Sequence, residues 1–272
     1  GQPLLQKRVK RIRTESETMK EANARTKTRF RSPTTRLLKA LATTDELTLK
    51  ETRKLGVQSN HIRQLAEEEW IVVEQVKINR DPVLNYRSKT PVSPPTLTKE
   101  QHKAVTKIVT SDSKQFLLHG VTGSGKTEVY QAIIRKVLDS GKSAIVLVPE
   151  ISLTPQAIKR YGEKFPNELT VLHSNLSTGE LYDQWHRINE NKSRLIIGSR
   201  SAIFAPIPSL GLVVIDEEHE WTYKQKDQHP RYHTRDIASE ICHYTGATLV
   251  LGSATPDITS YHRSEMGEFK RL

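Results

Sequence analysis

Residues 115–127 read QFLLHGVTGSGKT, a short apolar run that ends in a glycine-rich turn. The turn, Gly120-Val121-Thr122-Gly123-Ser124-Gly125-Lys126-Thr127, fits the pattern G-x-x-x-x-G-K-[ST] and lies between a predicted strand (115–119) and a predicted helix (126–139). In that setting the glycines let the backbone curl so that successive N–H groups point at phosphate oxygens, and the helix N-terminus adds its positive end. Lys126 is then expected to neutralise the β- and γ-phosphates, and the Thr127 hydroxyl to ligate Mg²⁺. Outward from this turn, apolar runs at 143–148, 169–172, 194–197, 211–215 and 247–251 alternate with helical patterns near 98–110, 153–163, 178–190 and 234–244. Continuous apolar strands alternating with helices predict an α/β fold with a parallel sheet covered on both faces.

The run Leu212-Val213-Val214-Ile215 leads directly into Asp216-Glu217-Glu218-His219. A carboxylate at the tip of a buried strand beside a phosphate loop gives Mg²⁺ a second anchor, so Asp216 is the expected metal-side residue. Glu217 is the expected base that orients or deprotonates an attacking water. His219 reads as a coupling residue on this motif, because no side chains with metal-ligand spacing accompany it. Gly252-Ser253-Ala254-Thr255-Pro256 follows the last predicted strand. Ser253 and Thr255 are expected to hydrogen-bond the acidic motif, although alone the segment is only a strand-to-helix turn with Pro near the first helical position.

Between these motifs lies WTYKQKDQHPRYHTRD (221–236), which interleaves Trp221, Tyr223 and Tyr232 with Lys224, Lys226, Arg231 and Arg235. Aromatic side chains stack on unpaired bases at about 1–3 kcal/mol each while neighbouring cations hold the phosphates. In a buried setting the same aromatics would be core. Thr98-x-x-Gln101 is a capping box, which by itself accounts for Gln101, and Ser177-x-x-Glu180 is another, given no further role.

Composition bounds the alternatives. The chain has 272 residues, 35% hydrophobic and 27% charged, with a mean hydropathy of −0.57. That is polar for a globular protein and too apolar for a disordered one. No apolar stretch approaches the roughly 18–20 residues a membrane span needs, so membrane and secreted readings are set aside. The single cysteine, Cys242, excludes internal disulfides and a Cys-rich zinc module, fits a reducing cytosol, and reads as a small buried hydrophobe. Net charge is +11, carried unevenly: residues 1–95 hold 20 basic and 11 acidic side chains, against 22 and 20 beyond them. A basic front on a nearly neutral body suggests a polyanionic partner or simply a solubilising face.

Within that front, residues 1–32 carry ten basic and three acidic residues with little apolar periodicity, and read as a basic tail or linker. Residues 33–78 read as a small winged helix. Leu37, Leu38 and Leu41 form one stripe, 48–55 a second short helix closed by Gly56, and Ser59 caps a third whose inward face is Ile62, Leu65 and Ala66. Strand character follows from Trp70. The third helix carries Glu67, Glu68 and Glu69 beside His61 and Arg63, which favours a structural or protein-docking role over reading bases in a groove. Residues 79–96 hold four prolines and form a linker before the nucleotide-binding domain, 97–272.

GVTGSGKT, DEEH and GSATP, in this order, resemble superfamily 2 helicases. LVPEISLTPQ (147–156), LHSNLSTGE (172–180) with Trp185, GSRSAIFAP (198–206) and DEEHEWTYKQ (216–225) narrow the resemblance to the PriA family of replication-restart helicases. The resemblance implies a RecA-like first helicase lobe, ATP with Mg²⁺ as cofactors, and 3′→5′ translocation on DNA at stalled forks. Implied partners are forked and single-stranded DNA, single-stranded DNA-binding protein and primosome or helicase-loading proteins, for a protein expected to be monomeric, cytoplasmic and nucleoid-associated. It also implies that Gln101 reads the adenine edge. Ser199 and Arg200 would line the single-strand track, with Arg200 on a phosphate. Trp221, Tyr223, Lys224, Arg231, Tyr232 and Arg235 would belong to an aromatic-rich loop that couples DNA binding to hydrolysis.

The second lobe, zinc-binding cysteine pairs and an amino-terminal domain of that family have no counterpart in residues 1–272. The chain therefore reads as a fragment that binds nucleotide weakly and does not unwind DNA by itself. Two further readings stand beside this one: a DNA-binding and partner-docking module that binds ATP without productive turnover, and another superfamily 2 translocase.

Overall fold

The computed structural model describes residues 4–28, 32–78, 96–226 and 229–272. The predicted linker, apart from Thr96, lies outside them. The chain divides into two compact units, residues 2–79 and 80–272, apart from Gly1.

In the first unit, strand β1 (Leu4–Arg11) is followed by helices α1 (Glu15–Thr28) and α2 (Pro33–Thr43). Then come strand β2 (Glu46–Thr48), helices α3 (Leu49–Lys54) and α4 (Ser59–Glu67), and strand β3 (Ile71–Ile78). Local signals set the helices. Ser32 caps α2 with Pro33 in its first turn, and Thr48 and Glu51 close a capping box on α3. Helix α4 begins after Gln58, with His61 Nδ1 accepting from the Gln58 N–H at 3.1 Å, so the cap is Gln58 and not Ser59. Leu37, Leu38, Leu41, Leu65 and Ile71 are buried with Val9 and Ala22 in one core.

Val9 and Ala22 come from the segment expected to be a tail. Residues 4–11 instead form the central strand of an antiparallel sheet of order β2-β1-β3, pairing with β3 from Leu4↔Ile78 to Arg11↔Ile71. Cross-strand charge explains how so basic a strand sits there: Arg8 pairs with Glu46, and Arg11 meets Asp45 at 2.5 Å.

In the second unit, α5 (Lys99–Thr110) precedes a seven-stranded parallel sheet. Its strands are β4 (Gln115–His119), β5 (Ser143–Leu147), β6 (Leu169–Leu172), β7 (Leu195–Gly198), β8 (Leu210–Asp216), β9 (Thr248–Ser253) and β10 (Lys270–Arg271). Helices α6 (Lys126–Asp139), α7 (Pro155–Lys164), α8 (Thr178–Asn189), α9 (Thr234–Thr245) and α10 (Ile258–Glu265) fill the crossovers. Apart from the exposed two-residue edge strand β10, the strands are buried on both faces, and side-chain alternation divides them between two cores. Ala144 and Val146 pack with Val105, Ile133 and Ile158 from α5–α7, whereas Ile145 and Leu147 pack with Ile188, Ala238 and Cys242 from α8 and α9. This is the RecA-like α/β lobe expected from the sequence.

The sheet order is β10-β4-β9-β8-β5-β7-β6. Strand β9 therefore lies between β4, which feeds the glycine-rich turn, and β8, which ends in Asp216. Because all three run parallel, the turn, the acidic motif and the GSATP segment emerge side by side at their carboxyl ends, where open α/β sheets bind ligands. Among the described residues no helix is long and apolar enough to cross a membrane.

Candidate active site

The glycine-rich turn leaves β4 with the Gly120 N–H donating to the Ser253 carbonyl at 3.1 Å, which ties it to the end of β9. Gly125, at φ +82°, starts α6; a Cβ there would lie 2.1 Å from Gln101 Nε2. Lys126 is buried; its Nζ donates to the Gly120 carbonyl at 2.9 Å and stands 3.9 Å from Glu217 Oε1. Thr122, Gly123, Gly125, Lys126 and Thr127 line a cavity of about 340 Å³ together with Asp216 and Glu217, while exposed Val121, and Gly120 and Ser124, complete the turn. Glu128 and Arg160 also line this cavity, and neither was singled out in the sequence. Arg160 had no motif to mark it, being an exposed cation on α7.

Gln101 fills its expected capping role and makes a second contact that the sequence did not indicate. Its Oε1 accepts from the Thr98 N–H at 2.9 Å, completing the capping box, and its Nε2 donates to the Ser124 carbonyl at 3.0 Å. The capping residue of α5 thus braces the turn from below.

Asp216, at the tip of β8, is held by a buried tyrosine. Burial pushes its pKa above the ordinary value, opposed by the Tyr130 hydroxyl, which donates to Oδ1 at 3.0 Å. Burial beside this charge pushes both Tyr130 and Tyr223 well above the usual phenol range. Glu217 follows with a left-handed backbone (φ +46°), uncommon for a residue with a side chain. His219 Nδ1 is 2.7 Å from Ser253 Oγ and 3.7 Å from Glu217 Oε2. Ser253 Oγ also accepts from the Thr255 N–H at 3.0 Å, so Thr255 enters the chain of contacts through its backbone.

Glu218, unremarked in the sequence, is the deepest acid of the motif. It is buried and accepts from Arg235 Nη1 at 2.9 Å, Ser260 Oγ at 2.8 Å and the Asp257 N–H at 2.7 Å. Arg235 was expected on DNA. The structure turns it inward instead, 7% exposed, because an unpaired Glu218 charge would be costly there. Tyr223 is corrected in the same way: it is 1% exposed and its hydroxyl donates to the Asp216 carbonyl at 2.7 Å. Charge density in 221–236 favoured a surface reading over a core one, yet the segment alternates between the core and solvent.

Its outward side chains are Trp221, Lys224, Lys226 and Arg231, with Tyr232 half-buried edge-on against Phe204 at 5.2 Å. Lys226 Nζ stands 5.8 Å from the centre of the Trp221 ring. The segment folds back on itself through a Lys224↔His233 bridge. Ser199 is buried, and Arg200 donates from Nη1 to the carbonyls of Thr222 and Lys224, each at 3.1 Å. Arg200 therefore holds the base of the aromatic segment.

Among the described residues no three His, Cys, Asp or Glu side chains converge as metal ligands. One half-buried carboxylate and one hydroxyl facing a cavity lined by a phosphate loop suit Mg²⁺ that arrives with a nucleotide, because Mg²⁺ keeps waters and takes phosphate oxygens as its other ligands.

Residues 98–263 match the DEAD/DEAH box helicase family. The chain belongs to that family. Its DEAD/DEAH box match begins at the cap of α5 and ends within α10, spanning every motif described above. The chain is similar to the replication restart protein PriA of Bacillus subtilis (strain 168), 46% identical over 224 residues, covering 81% of this chain and 28% of that protein. PriA of Chlamydia muridarum (strain MoPn / Nigg) is 43% identical over 232 residues, covering 83% and 30%. The chain thus spans under a third of the length of these relatives. A solved structure of RecG bound to a three-way DNA junction aligns at a TM-score of 0.49 and 23% identity, over 66% of this chain and 24% of that one.

Proposed function

We propose that residues 97–272 are the first motor lobe of an ATP-dependent, 3′→5′ DNA helicase that acts at stalled replication forks and restarts replication through primosome assembly. The observation that carries this reading is the convergence of three motifs at the carboxyl ends of β4, β8 and β9, with His219 and Ser253 in contact between the last two. Similarity to replication restart proteins supports the biological setting.

In this reading the turn 120–127 cradles the phosphates, and Lys126 leaves the Gly120 carbonyl for them. Asp216 and Thr127 hold Mg²⁺, which supplies charge neutralisation on the phosphates. Glu217, beside Lys126 and His219, orients the attacking water. Gln101 offers its remaining amide proton to the adenine side. His219, Ser253 and the Thr255 backbone transmit the state of the site. Trp221, Lys224, Arg231 and Tyr232 contact single-stranded DNA, and Arg200 positions their segment. The first unit, with α2–α4 followed by β3 and with β1 in the place of a wing strand, serves as a winged-helix module for fork DNA or a partner. Forked DNA, single-stranded DNA-binding protein and helicase-loading proteins are the partners implied, in the cytoplasm.

Binding of a fluorescent ATP analogue with Mg²⁺ tests the site. The wild-type chain should bind saturably, and Lys126→Ala should weaken binding by at least about tenfold, the range in which a lost charged contact to a phosphate falls. Equal binding by both would refute the assignment.

A further inference from the structure

Tyr130 lies on α6, on the turn that follows Lys126, and is fully buried. A phenylalanine would fill the same core, so the position of the hydroxyl is the informative feature. It donates to Asp216 Oδ1 at 3.0 Å. It also fills a recess that exists only because residue 252 is glycine: a Cβ on Gly252 would lie 1.6 Å from the Tyr130 hydroxyl and 2.8 Å from ring carbon Cζ. One phenolic oxygen therefore touches the helix of the phosphate loop, the tip of β8 and the end of β9.

The carboxylate of Asp216 is held from its own strand end and from α6. Tyr223 takes the backbone carbonyl at 2.7 Å, Tyr130 is the side-chain donor to Oδ1, and the Glu217 backbone N–H is a further donor to the carboxylate. A ligating carboxylate whose other oxygen is held by a hydrogen bond keeps its orientation and binds metal more tightly.

We propose that Tyr130 is a positioning residue for Asp216: its hydroxyl holds Oδ1 and so fixes the orientation in which the carboxylate meets the Mg²⁺ of a bound nucleotide, and Gly252 is the recess that admits it. Tyr130 touches neither nucleotide nor metal in this arrangement. The inference rests on Asp216 being the metal-side residue of a nucleotide site. It also gives GSATP a steric reason for its glycine that is separate from the Ser253 contact.

The test is a Mg²⁺ titration of fluorescent ATP analogue binding to the 272-residue chain, read for wild type, Tyr130→Phe, Gly252→Ala, the double variant and Lys126→Ala. Tyr130→Phe should raise the Mg²⁺ midpoint about tenfold, as loss of a partner to a metal ligand does elsewhere, and leave affinity in EDTA unchanged. Gly252→Ala should raise the midpoint likewise and lower the melting temperature. Adding Tyr130→Phe to Gly252→Ala removes the nearer clash, so the double variant should melt above Gly252→Ala while keeping the raised midpoint. An unmoved Mg²⁺ midpoint in Tyr130→Phe, with Lys126-dependent binding intact, would overturn the inference alone. Absence of Lys126-dependent binding in the wild-type chain would overturn the site assignment and the inference with it.

Discussion

His219 Nδ1 and Ser253 Oγ stand 2.7 Å apart, joining the acidic motif at the end of β8 to the GSATP segment at the end of β9. The same hydroxyl accepts from the Thr255 N–H, so the two segments share a single small side chain. A hydrogen bond of this kind contributes about 1 kcal/mol. Ser253→Ala should therefore leave Mg²⁺-nucleotide binding within about twofold of wild type. DNA-stimulated hydrolysis by the full-length protein should fall by fivefold or more, roughly what that energy is worth if the bond forms fully in the stimulated state. Steady-state ATPase assays with and without single-stranded DNA separate the two effects.

Arg235 and Glu218 form a buried ion pair at 2.9 Å, with side chains 8% and 0% exposed. Removing one partner strands the other charge, which costs about 3–5 kcal/mol in buried settings. Arg235→Ala should lower denaturant stability by that order, without a specific loss of DNA affinity in the protein that remains folded. Urea unfolding beside an oligonucleotide titration decides this. Unchanged stability with weakened DNA binding would return Arg235 to the surface role that its sequence context suggested.

The aromatic segment offers a contrast between two of its rings. Trp221 is 71% exposed and Tyr223 1%. Trp221→Ala should weaken single-stranded DNA binding by about 1–3 kcal/mol, the value of one stacked base. Tyr223→Phe should leave it unchanged, because that hydroxyl is committed to the Asp216 carbonyl. Anisotropy of a labelled oligothymidine measures both.

His233 caps α9, its Nδ1 accepting from the Arg235 N–H at 3.3 Å. Burial, with Arg235 nearby, pulls its pKa below the ordinary 6.5, and Asp236, Asp257 and Glu218 oppose this only in part. The folded chain thus favours neutral imidazole, so the stability from this group is complete above pH 6.5 and is lost as pH falls through the lowered folded value. Melting temperatures should decline on acidification below pH 6.5, and less steeply in His233→Asn, which retains a capping acceptor. His173 shifts in the same direction through burial and accounts for part of the slope left in that variant.

What the sequence displayed most clearly was local. The turn 120–127, the acids after β8 and the capping boxes at Thr98 and Ser177 are each set by neighbours a few residues apart, and each stands where its pattern placed it. Strand β1 was hidden because its long partner, β3, lies sixty or more residues away and its basic side chains mimic a solvated tail. Strand β10 is two residues long, too short for any periodicity. The inward turn of Tyr223 and Arg235 depends on Asp216 and Glu218 being beneath them, a fact of tertiary packing that charge counting reverses. Tyr130 carries no motif in the sequence, and its hydroxyl stands out only through the Asp216 contact and the space above Gly252.

The central claim is that one site hydrolyses ATP and answers to DNA. The most direct measurement is steady-state ATP hydrolysis by the full-length protein, with and without a forked DNA carrying a single-stranded gap. The account predicts strong stimulation by the fork, abolished by Lys126→Ala and by Glu217→Gln, while fork binding persists in both. Hydrolysis that is absent under every condition, or that is the same with and without the fork, would contradict it.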